Sequence, residues 1–450
     1  MRFDSARRLA ALLLTALLTV TVSAAIQPAP AVATGAAMPP FSPAFAERAR
    51  DYYRIVFTAD GYPARRNADG TLFEHPIYPI YVLNDYRTQY LAHPSPRLAN
   101  AISTVAKAAI KRMRPLDGGL VFWYQPDPTT ASRLYVKHFS ALTQSYYATQ
   151  LWKAGDLIGD NTLKVAGSKA FAALLIPASR GGVLYKDRNG ISIAEVPQQP
   201  NSYILNGWLT ALTSVWGYYR SSGDLRALSL VRDSARTMTK VLPRYDSTSL
   251  SISRYALTGF AYVRVVGTTY STLSLTVPGA GKYLPVRVKH PSRWQMSRVN
   301  TRQANIVVSY SSYPSANVLT MKPRKAARVQ LLVGRYNPLL SGSTDGRWVT
   351  IGTVTPSRPS IKIPWSSVDR LVQPTNFAKL IRGHRTNVYH SIHIDRLKQL
   401  YAITGYPALR SWAVHFEREM CRWKRLPVYR GLWASVPGAN TYRPVSRLCT

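Results

Sequence analysis

Acid is what this chain has least of. Its 450 residues carry 21 Asp and Glu against 58 Lys and Arg, a formal net charge of +37. Such an imbalance excludes a surface suited to basic partners and builds a field that captures polyanions. Cysteine is nearly absent too. Cys421 and Cys449 are the two present, which excludes a disulfide-dense scaffold and a cysteine-based metal site. An even count in an exported chain favours one Cys421–Cys449 bridge stapling the tail to the final helix, with two free thiols as the alternative. Familiar catalytic motifs are missing as well. There is no Gly-x-Ser-x-Gly elbow, P-loop or dinucleotide fingerprint, so no cofactor is expected. No pair of carboxylates is marked out for glycoside hydrolysis. Beyond the N-terminal region no apolar run is long enough to cross a bilayer.

What is present begins with an export signal. Arg2, Arg7 and Arg8 precede an apolar run from Leu9 to Ala25, and Ala31-Val32-Ala33 offers a cleavage site. That order predicts a secretory signal peptide over 1–33 and a secreted or cell-surface protein. The alternative is a retained anchor, in which case the protein would sit at a membrane. The hydrophobic content of 46% is enough for a packed core. The partners expected of an exported cation are uronic-acid polysaccharides, phosphate- or carboxylate-bearing wall polymers or anionic lipid. Nucleic acid is not expected, since no recognition motif accompanies the charge. A surface merely adapted to an acidic matrix is the plainer reading. The sequence leaves the oligomeric state open.

The expected organisation alternates between helix and strand. Residues 34–130 read as a Pro/Ala-rich linker and an N-terminal extension, with a first helix over Phe45 to Thr58 and another over Ser95 to Arg114. Residues 131–260 show apolar residues at helical spacing in paired segments, including Tyr203 to Tyr219 and Leu225 to Leu242. Gly181-Gly182 and Asn189-Gly190 bracket a short hairpin. From 261 to 378 the pattern becomes alternating Val, Thr, Ser and Tyr, as in Thr272 to Val277, Ala304 to Tyr310 and Arg328 to Val333, which predicts an inserted β-sandwich. Helical periodicity returns over 379–450, from Val388 to Trp423, ahead of a C-terminal tail. The fold class expected is mostly α with added β: an incomplete (α/α) toroid interrupted by a β-sandwich.

Four segments in order carry a resemblance. They are Phe139-Ser140-Ala141-Leu142-Thr143-Gln144, Ser202-Tyr203-Ile204-Leu205-Asn206-Gly207-Trp208, Leu242-Pro243-Arg244-Tyr245-Asp246 and Tyr389-His390-Ser391-Ile392-His393-Ile394. Tyr78-Pro79-Ile80 adds a fifth. Together these resemble the C-terminal domain of the D-glucuronyl C5-epimerases, of which this chain reads as a divergent member. The resemblance implies an isomerase acting on glucuronic acid within an acidic, heparosan-like polysaccharide, taking the C5 proton and returning it on the other face. Such chemistry needs two proton-transfer groups and donors that neutralise the substrate carboxylate.

Carried over residue by residue, the resemblance gives Tyr389 and Glu195 as catalytic residues. The family's Glu-Tyr-Pro reads Glu195-Val196-Pro197 here, and its Tyr-x-x-Arg falls on Ser253 and Ala256, with Arg254 and Tyr255 alongside in reversed order. Arg254, Tyr255, His390, His393, Tyr78 and Tyr81 are the candidates for substrate contact. Tyr389 and His393, four apart, share a helix face and could equally be core residues. His390 and His393 have ligand-like spacing, but no third ligand suggests itself, so no metal is expected. Asn206-Gly207 reads as a site of close helix packing. The altered residues support a second reading, a catalytically inactive protein that binds acidic polysaccharide or cell-wall polymer.

Overall fold

A computed structural model describes residues 38–124, 138–197, 201, 203–248, 250–266, 270–277, 281–283, 286–287, 303–311, 317–336, 344–363, 375, 379–381, 384–423, 425, 435–438, 441–444 and 449. The signal segment expected at 1–33 lies outside them. Among the described residues no helix is long and apolar enough to cross a membrane.

The chain enters through a helical turn, α1 (Pro43–Glu47), that widens into a π-turn at Arg48–Tyr52. The helix expected to reach Thr58 stops there. Ile55 and Val56 are β-branched and pair instead, as β1 (Ile55–Phe57), with β2 (Pro63–Arg66), which in turn pairs with β3 (Leu72–Phe73).

Among the described residues four helical hairpins follow. They are α2 (Tyr78–Ala92) with α3 (Pro96–Arg112), α4 (Ala141–Ile158) with α5 (Asn161–Ala173), α6 (Leu205–Ser222) with α7 (Leu225–Val241), and α8 (Val388–Thr404) with α9 (Pro407–Trp423). The local chemistry that turns them recurs. Gly159, Gly223 and Gly405 end α4, α6 and α8 at φ of 73°, 73° and 74°, a left-handed position that glycine occupies without steric cost. Asp160 and Asp224 then cap α5 and α7 through the Thr162 and Arg226 amides, and Ser95 and Asn387 cap α3 and α8. The first helices of the hairpins contact one another in the order α2, α4, α6, α8, and each second helix packs on its own first. Residues expected to form an N-terminal extension thus stand in line with the rest as α2–α3.

One apolar core runs through all four hairpins, including Tyr86, Ile102, Leu151, Phe171, Trp208, Leu212, Met238, Leu397 and Phe416. Short ribbons pack against its helices: β4 (Arg114–Leu116) with β5 (Gly119–Val121), β6 (Leu184–Asp187) with β7 (Gly190–Ile193), and β8 (Asp246–Ser247) with β9 (Ile252–Ser253).

Between α7 and α8 the chain forms antiparallel sheets. A five-stranded sheet contains β10 (Thr258–Val266), β13 (Val286–Arg287), β14 (Gln303–Ser311), β16 (Ala327–Tyr336) and β17 (Thr344–Val354), in the order β13-β14-β10-β16-β17. A four-stranded sheet contains β11 (Tyr270–Val277), β12 (Gly281–Tyr283), β15 (Asn317–Pro323) and β18 (Ser360–Ile363), in the order β12-β11-β15-β18. Alternation is visible where Leu319 and Met321 are buried on either side of a less buried Thr320. The sheets touch through β11 against β14 and β17 against β18. Both ends of this excursion are held together. Thr375 donates its N–H (2.9 Å) and its hydroxyl (2.8 Å) to the Ser253 carbonyl, and the Asn387 amide donates to the Thr375 hydroxyl (3.1 Å). Beyond α9, Cys421 is disulfide-bonded to Cys449.

Candidate active site

Glu195 sits where the hairpins begin. It follows β7 and Ala194, which is tied in on both sides: Ala194 accepts from the Ala141 amide at the head of α4 (3.1 Å) and donates to the Val183 carbonyl (2.9 Å). The Glu195 side chain lies directly over Gly207 in the first turn of α6. A Cβ there would stand 1.9 Å from Glu195 Oε2 and 2.6 Å from its Cδ, well inside contact distance. Asn206-Gly207, expected to let helices pack closely, instead makes room for this carboxylate. Oε2 is closed off from solvent and makes no hydrogen bond. Burial pushes the carboxyl up to about 7, because a charge without solvent or partners is unfavourable. The positive end of α6 opposes that shift but does not cancel it.

Tyrosines surround this group. The Tyr255 and Tyr389 rings meet edge to face at 4.9 Å between centroids, a favoured aromatic geometry. Tyr255 is fixed from two sides. Its carbonyl accepts from the Leu205 amide that opens α6 (2.9 Å), and its hydroxyl receives a hydrogen bond from Asn206. Burial, then the charges of Glu195 and Tyr389, hold its phenol well above the ordinary tyrosine value. Tyr389, in the first turn of α8, is 40% exposed, and burial, Glu195 and Tyr52 raise its phenol. Of the pair, Tyr389 is therefore the one that faces solvent.

Two more tyrosines lie within reach of the same carboxylate. Tyr146 on α4 is raised by burial; the Arg396 guanidinium then lowers it, and Glu195 and Tyr53 raise it again. Tyr124 is pushed up to about 12, by burial first, with a hydrogen bond from Thr143 opposing and Glu195 adding. Tyr124 is placed by Gln144, which accepts from Phe122 N–H (3.4 Å) and donates to the Leu120 carbonyl, tying β5 to α4. This gives the Phe139–Gln144 segment a local purpose. Tyr124, Tyr146, Arg396 and the Gly207 cradle carried no motif of their own. The strongest sequence signal for them was the run of Ser140, Thr143 and Gln144, polar residues that stay buried.

The remaining candidates separate. Tyr81 is half-buried against the Tyr53 ring (5.0 Å) and donates to its hydroxyl. Arg48 also donates to the Tyr53 hydroxyl (2.8 Å), placing this group beside Tyr146. Tyr78 is 5% exposed and packs between Tyr53 and His75, a wall residue at most. Arg254 is 5% exposed, and its amide bonds the Tyr245 carbonyl (2.7 Å). Arg254 and Tyr255 stand alongside Ser253 and Ala256, the positions on which the family's Tyr-x-x-Arg falls. Only Tyr255 stands beside Tyr389.

His390 and His393 belong to the interior, which corrects the expectation that they touch substrate. Both are fully buried. His390 Nδ1 accepts from the Ser253 N–H (3.0 Å), so its Nε2 carries the proton and donates to the Phe416 carbonyl (2.9 Å). The Ser253 hydroxyl sits 2.8 Å from Nδ1 of each histidine. Burial holds His390 down at about 4 and His393 well below the usual imidazole value. These neutral rings brace β9 against α8. Tyr389 and His393 share a face by spacing, but the 40° between them is enough to put one in solvent and the other in the core.

Residues 129–275 match the family described as D-glucuronyl C5-epimerase C-terminus, roughly a third of the chain. A 27% identity over 111 residues relates 24% of this chain to 36% of an uncharacterized protein of Methanocaldococcus jannaschii, so the chain spans about a third of that relative's length. The matched span contains Glu195, Gly207 and Tyr255. Over that span the chain is similar to the D-glucuronyl C5-epimerase C-terminal domain.

Proposed function

We propose that this epimerase-like protein acts on glucuronic acid residues of an exported or surface acidic polysaccharide. The carrying observation is the Tyr255–Tyr389 ring pair over Glu195, at the end of the fold where α4, α6 and α8 begin. In this reading the hairpins form an open toroid, the two sheets are a β-sandwich inserted into it, and the polymer lies across the toroid's open end. Helix N-termini gathered there favour a bound carboxylate.

α4 and α8 flank α6, so Tyr146 and Tyr389 approach Glu195 from opposite flanks and would serve opposite faces of the sugar. Tyr146, beside Arg396, acts as the base. Its phenolate takes the C5 proton, and the C–H electron pair moves into the substrate carboxyl as an enediolate. Arg396 neutralises that developing charge. Tyr389 then gives its phenolic proton to C5 from the other side, and the electron pair returns to C5 as the new C–H bond. Glu195 touches no substrate. It is a positioning residue whose charge sets how readily the surrounding phenols ionise. A hollow of about 390 Å³ lined by Arg50, Arg54 and Arg66, next to Tyr52 and Tyr53 in sequence, would hold further acidic sugars.

A second reading, binding without turnover, draws on two particulars. Val196 stands where the family has a tyrosine, and Ser253 and Ala256 are buried. Incubating a uronic-acid polymer with the protein in deuterated water separates the two. Turnover is expected to place deuterium at C5, with Tyr389→Phe lowering the rate at least ~100-fold. Salt-sensitive binding without exchange would favour the second reading. Neither exchange nor binding across a panel of uronic-acid polymers would sink both.

A further inference from the structure

A second cluster of donors lies where α9 meets the β8–β9 ribbon. Asp246 opens β8, and His415 and Glu419 stand one turn apart on α9. His415 Nε2 is 3.3 Å from Asp246 Oδ2 and 3.7 Å from Glu419 Oε1. One donor atom from each residue lies within 4.8 Å of the other two. The surroundings are not those of an ordinary ion pair. The Glu419 side chain is 1% exposed, and its Oε2, Asp246 Oδ1 and His415 Nε2 make no hydrogen bond. Two carboxylates held together in the interior need a proton or a cation between them. The imidazole is already oriented, packed by the Trp412 and Phe416 rings (4.8 and 5.7 Å). Thr248 donates to Asp246 Oδ2 (3.2 Å).

We propose that Asp246, His415 and Glu419 form a site for a divalent transition ion, zinc first, with a water completing the coordination. Zinc bonds of about 2.0–2.2 Å place tetrahedral donors about 3.3–3.6 Å apart, close to the 3.3 and 3.7 Å between His415 and the two carboxylates. One imidazole and two carboxylates suit a borderline ion better than calcium, which takes six to eight oxygens. His415 and Asp246 are partly exposed, which leaves the ion a way in. The bound ion would tie α9 to the ribbon that leads into Ser253 and Tyr255. This role is structural and does not depend on the epimerase reading.

The test uses the untagged full chain, stripped with chelator and titrated with cobalt(II) and then zinc. Expected are one equivalent of cobalt with visible absorption bands, displacement by zinc, and a Tm that rises by several degrees at stoichiometric zinc. His415→Ala and Glu419→Gln, each checked for folding by circular dichroism, should weaken zinc binding at least tenfold and abolish the Tm rise. Metal-free Glu419→Gln should be no less stable than the metal-free parent, since it removes a buried acid, so it serves if the histidine variant misfolds. No binding by the parent chain at micromolar zinc, or an undiminished equivalent in Glu419→Gln, would overturn the site.

Discussion

At the scale of single residues, Glu195 governs how this site responds to pH. Its carboxyl titrates near 7 when folded against an ordinary value near 4.3. The folded chain therefore holds that proton more tightly than the unfolded one. The associated stability is complete below about pH 4 and is lost as pH rises through 7. Glu195→Gln should abolish this dependence, gaining up to ~3 kcal/mol on the parent between pH 4 and pH 8, which denaturant titrations at both pH values would measure. Equal pH dependence in the two proteins would mean the carboxylate is solvated. If turnover exists, the parent's pH–rate profile should bend near 7 and that bend should vanish in the variant. Glu195 and Tyr389 were legible from sequence because each sits inside a short motif. Tyr255 was legible as a residue type, but not as Tyr389's neighbour. An ungapped reading puts Ser253 in the tyrosine's place, whereas Tyr255 is anchored by its carbonyl at the head of α6 and its ring meets Tyr389. Tyr146 and Arg396 were illegible for a different reason. Each is an ordinary residue on its own helix, and they meet only because α4 and α8 flank the same neighbour.

At the scale of elements, α6 sets one condition above others: a first turn without a side chain at position 207. Gly207→Ala should add helix propensity of about 1 kcal/mol, yet its Cβ would occupy the space Glu195 fills. The expected outcome is a chain with unchanged helical circular dichroism, a Glu195 displaced into solvent with its titration moved back toward ordinary carboxylates, and loss of any C5 exchange. Retained exchange together with a titration still near 7 would show that the cradle is dispensable. Helix existence was readable from periodicity and caps, as in the repeated Gly-Asp turns at 159–160 and 223–224. α2 was harder, since Tyr78, Pro79, Tyr81, Tyr86 and Tyr90 give no clean apolar stripe. Its place among the hairpins comes from neighbours on two sides, α3 and α4, rather than from its own pattern.

At the scale of the whole molecule, a net charge of +37 should show as steep salt dependence. Affinity for a uronic-acid polymer is expected to fall on the order of tenfold or more between 50 and 300 mM salt, and calorimetry at several ionic strengths would read it. An unchanged affinity would mean that contacts other than charge dominate. The boundary between helical and β regions was legible because composition shifts from helix formers to alternating Val and Thr near 260. The pinning of both ends of the excursion was not, since it depends on Ser253, Thr375 and Asn387, three small polar residues far apart in sequence. That clasp makes the stretch between them a side loop in the topological sense: it leaves and rejoins the helical scaffold at one knot. Closure entropy grows only with the logarithm of the intervening length, so the scaffold hardly feels how long the detour is. What hangs there can be lengthened, trimmed or replaced at little cost to the helices that hold Glu195 and Tyr389.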